Sequence, residues 1–351
     1  MENEIEISFY YSYNGTIAFF EVQHNVATAI LSLIAIIGVT GNFFVLMILA
    51  QNHQTQKANI LIGGLALADL LYLSLCVPIQ IHLLRNNHIW YHGETLCRLN
   101  NCLPIALQTA AIYSLVALSA NRFNTVVKLT PTSKGCLGGN VYLQVVAVWA
   151  ASGLTSLAGI FGSSLIEKYE GVTICSFMHF EETNLDFINA FSHFIILFAI
   201  PLVIIFVYYS RLAWHLYRSI QTLPDDGYLA RHNQIIARRR LAVVVLALVI
   251  VFVICWLPYH IAQLLTSLSR YSHTYVDPNV ILGIMDVLEP LTYAKSALNP
   301  LVLFTMSSFF RQRLKTICRC RKPRKQPTYT CMNSKHAASQ RTRYTAVSSP
   351  L

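Results

Sequence analysis

Charge is what this chain has least of. Only 12% of its 351 residues are Asp, Glu, Lys or Arg, about half the 25% that soluble domains carry. Two or three soluble domains of this combined length could not be surfaced with so few charges, and that class is excluded. A hydrophobic share of 54% equally excludes disorder for most of the chain. Acidic residues are scarcer than basic ones, 16 against 26, for a formal net charge of +10. That sign would suit a nucleic acid, but the hydrophobicity does not, and no nucleic-acid partner is expected. No internal repeat of the transporter kind is present. The acidic, aromatic start lacks the basic region of a cleavable signal peptide, so the first apolar run is expected to direct its own insertion.

What the chain does have is long apolar runs. A membrane-spanning helix needs about 20 mostly apolar residues, and seven runs qualify, near 26–50, 58–84, 97–127, 140–161, 187–216, 236–267 and 278–305. Their length and continuity favour helices over the short alternating segments of a membrane barrel. Polar residues interrupt the second, third and seventh runs, which turns those faces toward a bundle interior. The expected organisation is an outer segment 1–25, a seven-helix bundle 26–305, a short amphipathic helix 306–320 and a disordered tail 321–351.

All but five of the 26 Lys and Arg fall on alternate connections and the carboxyl-terminal tail, which makes that side cytoplasmic and leaves the amino terminus outside. The exceptions are Arg85, Arg98, Lys168 and Arg270 on the other side and Lys295 inside a run. An acidic start (Glu2, Glu4, Glu6, Glu21) and a glycosylation sequon at Asn14 agree with this orientation. The nine cysteines sort by side. Cys97 and Cys175 both lie outside, where a disulfide is permitted; Cys102, slightly deeper, is the rival partner for Cys175. Cys76, Cys136 and Cys255 read as small buried or inner-face residues. Cys318 and Cys320 sit among arginines after the last run, a setting for palmitoylation or for plain cytosolic thiols.

One motif per run then appears in a fixed order: Gly41-Asn42 with Val45, Leu65-Ala66-Leu67-Ala68-Asp69, Trp90 and Cys97, Arg122, Trp149, Pro201 with Tyr209, Phe252-x-x-Cys255-Trp256-Leu257-Pro258, Asn299-Pro300, and Phe310-Arg311. With these residues the chain resembles a rhodopsin-like (class A) G protein-coupled receptor over about residues 26–320. The resemblance implies an all-α membrane fold, a seven-transmembrane helix bundle with a short amphipathic eighth helix, no enzymatic chemistry and no cofactor. It implies an activation switch at Ile112, Asn121, Arg122, Pro201, Tyr209, Phe252, Trp256, Pro258, Pro300 and Leu303, and a ligand pocket at Gln108, Trp256, Tyr259, His260, Gln263, Asp286 and Glu289. Physically, Pro201, Pro258 and Pro300 each remove a helix hydrogen bond and create a kink, and Trp256 is a large ring beside one of them.

Three departures from the family pattern stand out. An acid usually precedes the third-span arginine, but Asn121 stands here and offers a neutral bond about half as strong as a charge-assisted one. The Asn-Pro-x-x-Tyr ending has Leu303 in place of tyrosine, so a hydroxyl that would meet Tyr209 through water is missing. The third is Lys295. A charge within a span costs about 2.5–3.5 kcal/mol on insertion scales and usually has a partner. Relatives commonly place an asparagine there, lining a sodium pocket around the second-span aspartate, Asp69 here; a usual serine ligand is Ala111. The expectation is a polar core of Asn42, Asp69, Lys295 and Asn299 in which the ammonium fills the cation site against Asp69. Glu289 is the rival partner.

The acidic anchor of amine receptors is absent, its position being Pro104. Acidic residues instead gather at the outer mouth: Glu167, Glu170, Glu181, Glu182 and Asp186 around Cys175, and Asp286 with Glu289 in the seventh run. One-sign charge attracts its opposite, which points to a basic peptide; positive-inside sorting alone accounts for the pattern equally well. Asp69 to Pro78 and Cys255 to Ile261 look most like the galanin and allatostatin branch of peptide receptors. Expected partners are an extracellular peptide, a heterotrimeric G protein (Gi/o favoured by likeness), the lipid membrane, and arrestin after phosphorylation of tail residues such as Thr328 and Ser334. The rival readings are an arrestin-biased or scavenging receptor of the same fold and, further off, a transporter or channel.

Overall fold

The structure, a computed structural model, describes residues 2–52, 57–127, 140–169, 171–177, 183–221, 228–272, 274 and 276–318. The chain divides into two units, Met1–Leu314 and Lys315–Leu351. In chain order the helices are α1 (Glu2–Ala50), α2 (Lys57–Arg85), α3 (Gly93–Val127), α4 (Val141–Phe161), α5, α6 (Tyr228–Tyr271), α7 (Pro278–Met306) and α8 (Ser308–Cys318). The fifth runs as Thr183–Phe194, a π-helical stretch Ile195–Ala199, and Ile200–Gln221. Helix α1 begins well before the apolar run, so residues 2–25 continue the helix backward. Among the described residues, α1 to α6 each contain a stretch long and apolar enough to cross a membrane. Helix α7 is as long but carries Asp286, Glu289 and Lys295, which dilute its hydropathy and must be housed by the bundle.

Proline explains the irregularities inside α2 and α5. A proline at position i lacks an N–H and clashes with the carbonyl four residues back, and opening the local register by one residue is one way to relieve that clash. A second π-helical stretch, Tyr72–Cys76, lies just before Pro78, and the one in α5 lies just before Pro201. Each π turn inserts one extra residue and rotates the side chains that follow. Helix α4 starts where the Asn140 side chain accepts the Tyr142 N–H at 3.0 Å, an N-cap that satisfies one orphan donor.

Helix α3 is central, touching α2, α4, α5 and α6, while α1 packs on α2 and α7, and α6 on α5 and α7. Large apolar side chains on the perimeter, among them Ile36, Leu154, Phe206 and Ile254, are about two-thirds exposed. In water such a surface would aggregate; in lipid it is the solvated face. Because lipid removes the hydrophobic drive between helices, small residues must let backbones approach. At Gly159 an added Cβ would stand 2.6 Å from Cys102 Cα and 2.8 Å from Asn101 O. These are backbone atoms that cannot rotate away. Gly159→Ala is therefore expected to cost about 1–3 kcal/mol by overpacking, read as a lower thermal midpoint of the purified protein. Gly153→Ala on the same helix has nothing within 4 Å and should leave the midpoint unchanged.

Between α4 and α5 the chain forms a two-stranded antiparallel hairpin, β1 (Ser163–Tyr169) and β2 (Val172–Phe177), which the reading of the sequence did not anticipate. Gly171 closes the turn with φ +79°, a conformation glycine adopts without strain. Cys175, opposite Leu165 in the register, is disulfide-bonded to Cys97 with Cα atoms 5.5 Å apart, tying the hairpin to the start of α3. Cys102 is a buried thiol.

Candidate functional site

Two polar assemblies sit inside this apolar bundle, and among the described residues the fully buried Asp, Glu, Lys and Arg are only Asp69, Asp286 and Lys295. The deeper assembly is built on Asp69. Its Oδ1 accepts from Lys295 Nζ at 2.8 Å and Ser296 Oγ at 2.7 Å, and its Oδ2 accepts from Asn299 Nδ2 at 2.5 Å. Positions 295, 296 and 299 present on one side of α7 because a helix brings residues i and i+3 or i+4 onto one face. Asn42 on α1 joins in by donating to Ser296 O at 2.9 Å and Gly38 O at 2.9 Å. Gly41 next to it brings α1 so close that an added Cβ would lie 2.7 Å from Pro300 Cγ. Of the two carboxylates weighed for Lys295, Asp69 holds it, and Glu289 instead accepts from Gln80 Nε2 at 2.6 Å.

Beside the ammonium is a void of about 10 Å³ bordered by Asp69, Ala111, Trp256 and Lys295, among others. That is room for about one water, and not for a hydrated ion. Asn299 Oδ1 is buried without a hydrogen-bond partner.

The second assembly is a cavity of about 310 Å³ at the hairpin end of the bundle. All seven pocket residues named from the sequence border it: Gln108, Trp256, Tyr259, His260, Gln263, Asp286 and Glu289. Reading the sequence missed Tyr72, Gln80, His88, Asn101, His193 and Tyr293, which border it too. Gln80 was visible as a polar residue within an apolar run; His88 and His193 carried no pattern that separates them from other histidines. Gln108 Nε2 donates to Tyr72 OH at 2.6 Å, and Tyr72 stacks on Tyr293 with centroids 4.7 Å apart. Asp286, 2% exposed, is approached by His24 Nε2 at 3.2 Å and His88 Nε2 at 3.3 Å. Burial disfavours a charged His88, but the hydrogen bond and charge of Asp286, with Glu289 behind it, outweigh that and raise its pKa above the ordinary imidazole value. His260 is buried with both ring nitrogens lacking a hydrogen-bond partner, a donor and an acceptor held ready at the cavity wall.

Below the cavity a series of rings leads toward the opposite end. Trp256 lies 5.4 Å from His260 and 6.4 Å from Phe252, and Phe252 stacks on Phe198 at 5.5 Å. Ile112, Pro201 and Phe252 are all buried, and Pro258 stands inside α6 two residues after Trp256. Further down, Arg122 and Asn121 are half-buried near the end of α3. Tyr209 is hydrogen-bonded to Ser119 and interacts with Arg122, while Arg122 Nε is buried without a hydrogen-bond partner. Leu303, 2% exposed, occupies apolar packing in α7, and Pro300 is buried one turn above it.

Several expectations fall where little is described. Cys136, Cys320, Glu170, Glu181, Glu182 and the tail serines and threonines lie outside the described residues, as do the side chains of Asn14, Asp186, Arg238, Arg239, Arg240 and Cys318. Glu167 is described: it is exposed and accepts the Gly171 N–H at 3.2 Å, so it closes its own hairpin turn.

Similarity to known proteins agrees with the architecture. Residues 41–303 match the family described as 7 transmembrane receptor (rhodopsin family). The chain is 30% identical over 306 residues to the bombesin receptor subtype-3 of Ovis aries, covering 83% of this chain and 74% of that one. It is 28% identical to the [Phe13]-bombesin receptor of Bombina orientalis, over 81% of this chain and 74% of that one. With the neuropeptide CCHamide-1 receptor of Drosophila melanogaster it shares 29% identity, over 83% of this chain and 59% of the relative. A match over most of the chain, carried by a helix bundle with the motif aspartate Asp69 buried at its centre, means that the protein belongs to the rhodopsin family of seven-transmembrane receptors.

Proposed function

We propose that this chain is a plasma-membrane receptor, amino terminus outside, that binds a peptide presenting a basic group and couples to a heterotrimeric G protein, Gi/o in preference. The observation that carries this reading is the cavity at the hairpin end. It holds two acids, Asp286 and Glu289, above Trp256, and Glu289 keeps acceptor capacity beyond its bond to Gln80. A guanidinium or ammonium entering there meets charge in a site with restricted water, where pairing is strongest. Contact with Trp256, and through it Phe252 and the Pro258 kink, would favour an arrangement opening the bundle around Arg122. The relatives named for bombesin and CCHamide peptides support a peptide, and the segments following Asp69 and Cys255 favour the galanin and allatostatin side of that group. Asn14 as glycosylation site, Cys318 and Cys320 as palmitoylation sites, and arrestin docking on a phosphorylated tail belong to the same reading. Lys295 in the cation site makes signalling independent of sodium.

A second reading is favoured by Asn121 and Leu303: binding retained, with signalling through arrestin or not at all. A G protein dissociation panel in cells separates the two, run without ligand and with a library of basic, galanin-type and bombesin-type neuropeptides. The main reading expects a peptide-dependent response with at least one G protein. Silence across all of them with arrestin recruitment retained would sink it. Asn121→Asp and Leu303→Tyr, tested singly, then show which departure sets the basal level.

A further inference from the structure

Asp286 offers its carboxylate to two different imidazoles that come from distant parts of the chain. His24 is on α1, and His88 is in the connection between α2 and α3; they are 262 and 198 residues from Asp286 in sequence. The three ligating atoms all lie within 4.8 Å of one another. His24 Nε2 to Oδ2 is 3.2 Å and His88 Nε2 to the same oxygen is 3.4 Å. A tetrahedral zinc ion holds its ligands at about 2.0–2.1 Å, which separates the ligand atoms from each other by about 3.3 Å. Two of the three ligand–ligand edges of such a site already have the right length, and a small swing of one ring closes the third.

Two further observations separate this cluster from an ordinary surface ion pair. Asp286 is 2% exposed and His24 8%, so their polar atoms are withdrawn from bulk water and held in place. The backbone at His88 is also under strain. Asn87 and His88 have φ of +49° and +61°, and the turn is closed by Ile89 N donating to Asn86 O at 2.9 Å, the pattern of a type I′ turn without its usual glycine. Left-handed backbone costs a non-glycine residue about 1–2 kcal/mol. Strain of this kind, kept where it delivers a side chain to a buried carboxylate, is a mark of functional sites.

We propose that His24, His88 and Asp286 form a binding site for a zinc-type divalent cation. Two imidazoles and one carboxylate suit zinc and its neighbours, and disfavour calcium and magnesium, which take all-oxygen sets. The fourth position is open to water or to a ligand group in the cavity that His88 and Asp286 border. A bound ion ties α1, the α2–α3 turn and α7 together and neutralises Asp286, leaving Glu289 as the cavity's remaining acid. The ion is therefore a regulator of the cavity, whatever peptide enters it.

The full-length receptor in nanodiscs provides the test, with Zn2+ or Co2+ as the probe and Mg2+ as control. Zn2+, and not Mg2+, is expected to raise the thermal midpoint, and Co2+ to give the visible bands of a tetrahedral ion, bleached by added Zn2+. His24→Asn, His88→Asn and Asp286→Asn should each weaken Zn2+ binding at least about tenfold, since even outer-shell partners of metal ligands are worth about 10–100-fold. His215→Asn, at the far end of α5, should not. Should a variant fail to fold, histidine labelling of the unmutated receptor decides: Zn2+ should protect His24 and His88 from diethyl pyrocarbonate and leave His215 reactive. Unchanged Zn2+ binding in all three variants, no Zn2+-specific stabilisation, or equal labelling with and without the ion would each overturn the proposal.

Discussion

Lys295→Met is expected to destabilise the receptor by about 3–5 kcal/mol, because it leaves Asp69 buried with its charge uncompensated. Asp69 is 1% exposed and keeps only the neutral donors Ser296 and Asn299 once the ammonium is gone. The loss is read as a lower thermal midpoint and reduced cell-surface signal. Asp69→Leu alone should be comparably damaging, since it leaves the Lys295 ammonium unpaired. The double variant should recover most of both losses, as replacing a buried pair by apolar residues is often neutral. A double-mutant cycle then gives the coupling directly. Additive single effects would show that the 2.8 Å contact carries no net energy. Lys295→Asn is the informative companion: with the ammonium removed and an amide in its place, sodium should stabilise that variant and lower its agonist affinity. The unmodified receptor should respond equally to sodium and to an organic cation. A sodium-specific loss of affinity in the unmodified receptor would contradict the assignment of Lys295 to the cation site.

Glu289→Gln carries the second large expectation. Truncating one partner of a desolvated charge pair across an interface costs about 2–5 kcal/mol, which is a potency loss of about 30-fold to a few thousandfold for the peptide that emerges from the panel. Folding should survive, because a glutamine carbonyl can still accept from Gln80, the partner at 2.6 Å. Surface expression is the control for that. A peptide analogue with its basic group neutralised should be nearly indifferent to the substitution, so the two changes together should show strong coupling. Asp286→Asn should cost less, since His24 and His88 already engage its carboxylate. Equal potency on Glu289→Gln would move the anchor elsewhere in the cavity.

How much of this was legible without coordinates varies with the kind of feature. The apolar runs ended within a few residues of the observed helices on most counts, because crossing lipid imposes a length that can be read along one dimension. Helix α1 departs from that rule: residues 2–25 lack the apolar content of a span, yet the helix continues through them, since lipid length sets where a span must be, not where helix must stop. The two π-helical stretches show the limit differently. Pro78 and Pro201 announce an interruption, but whether the backbone kinks or opens by one residue depends on what packs around it. The hairpin went unseen because Ser163 to Phe177 is short, with few turn signals besides Gly171.

The sequence by itself determined the class of the molecule: the charge scarcity, the lopsided distribution of basic residues and one motif per span state the family, because each is a property of composition or of local spacing. It also singled out Asp69, Glu289 and Lys295 as the intramembrane charges where mechanism should be sought. Which carboxylate holds Lys295 was left open between two candidates, and tertiary structure alone decided it, through the stacking of α2 against α7 at a separation of 226 residues. The joining of His24, His88 and Asp286 was invisible for the same reason. Partners from three elements become neighbours only after close approaches such as that of α1 to α7 at Gly41 have set the helix distances, and no local pattern encodes that sum.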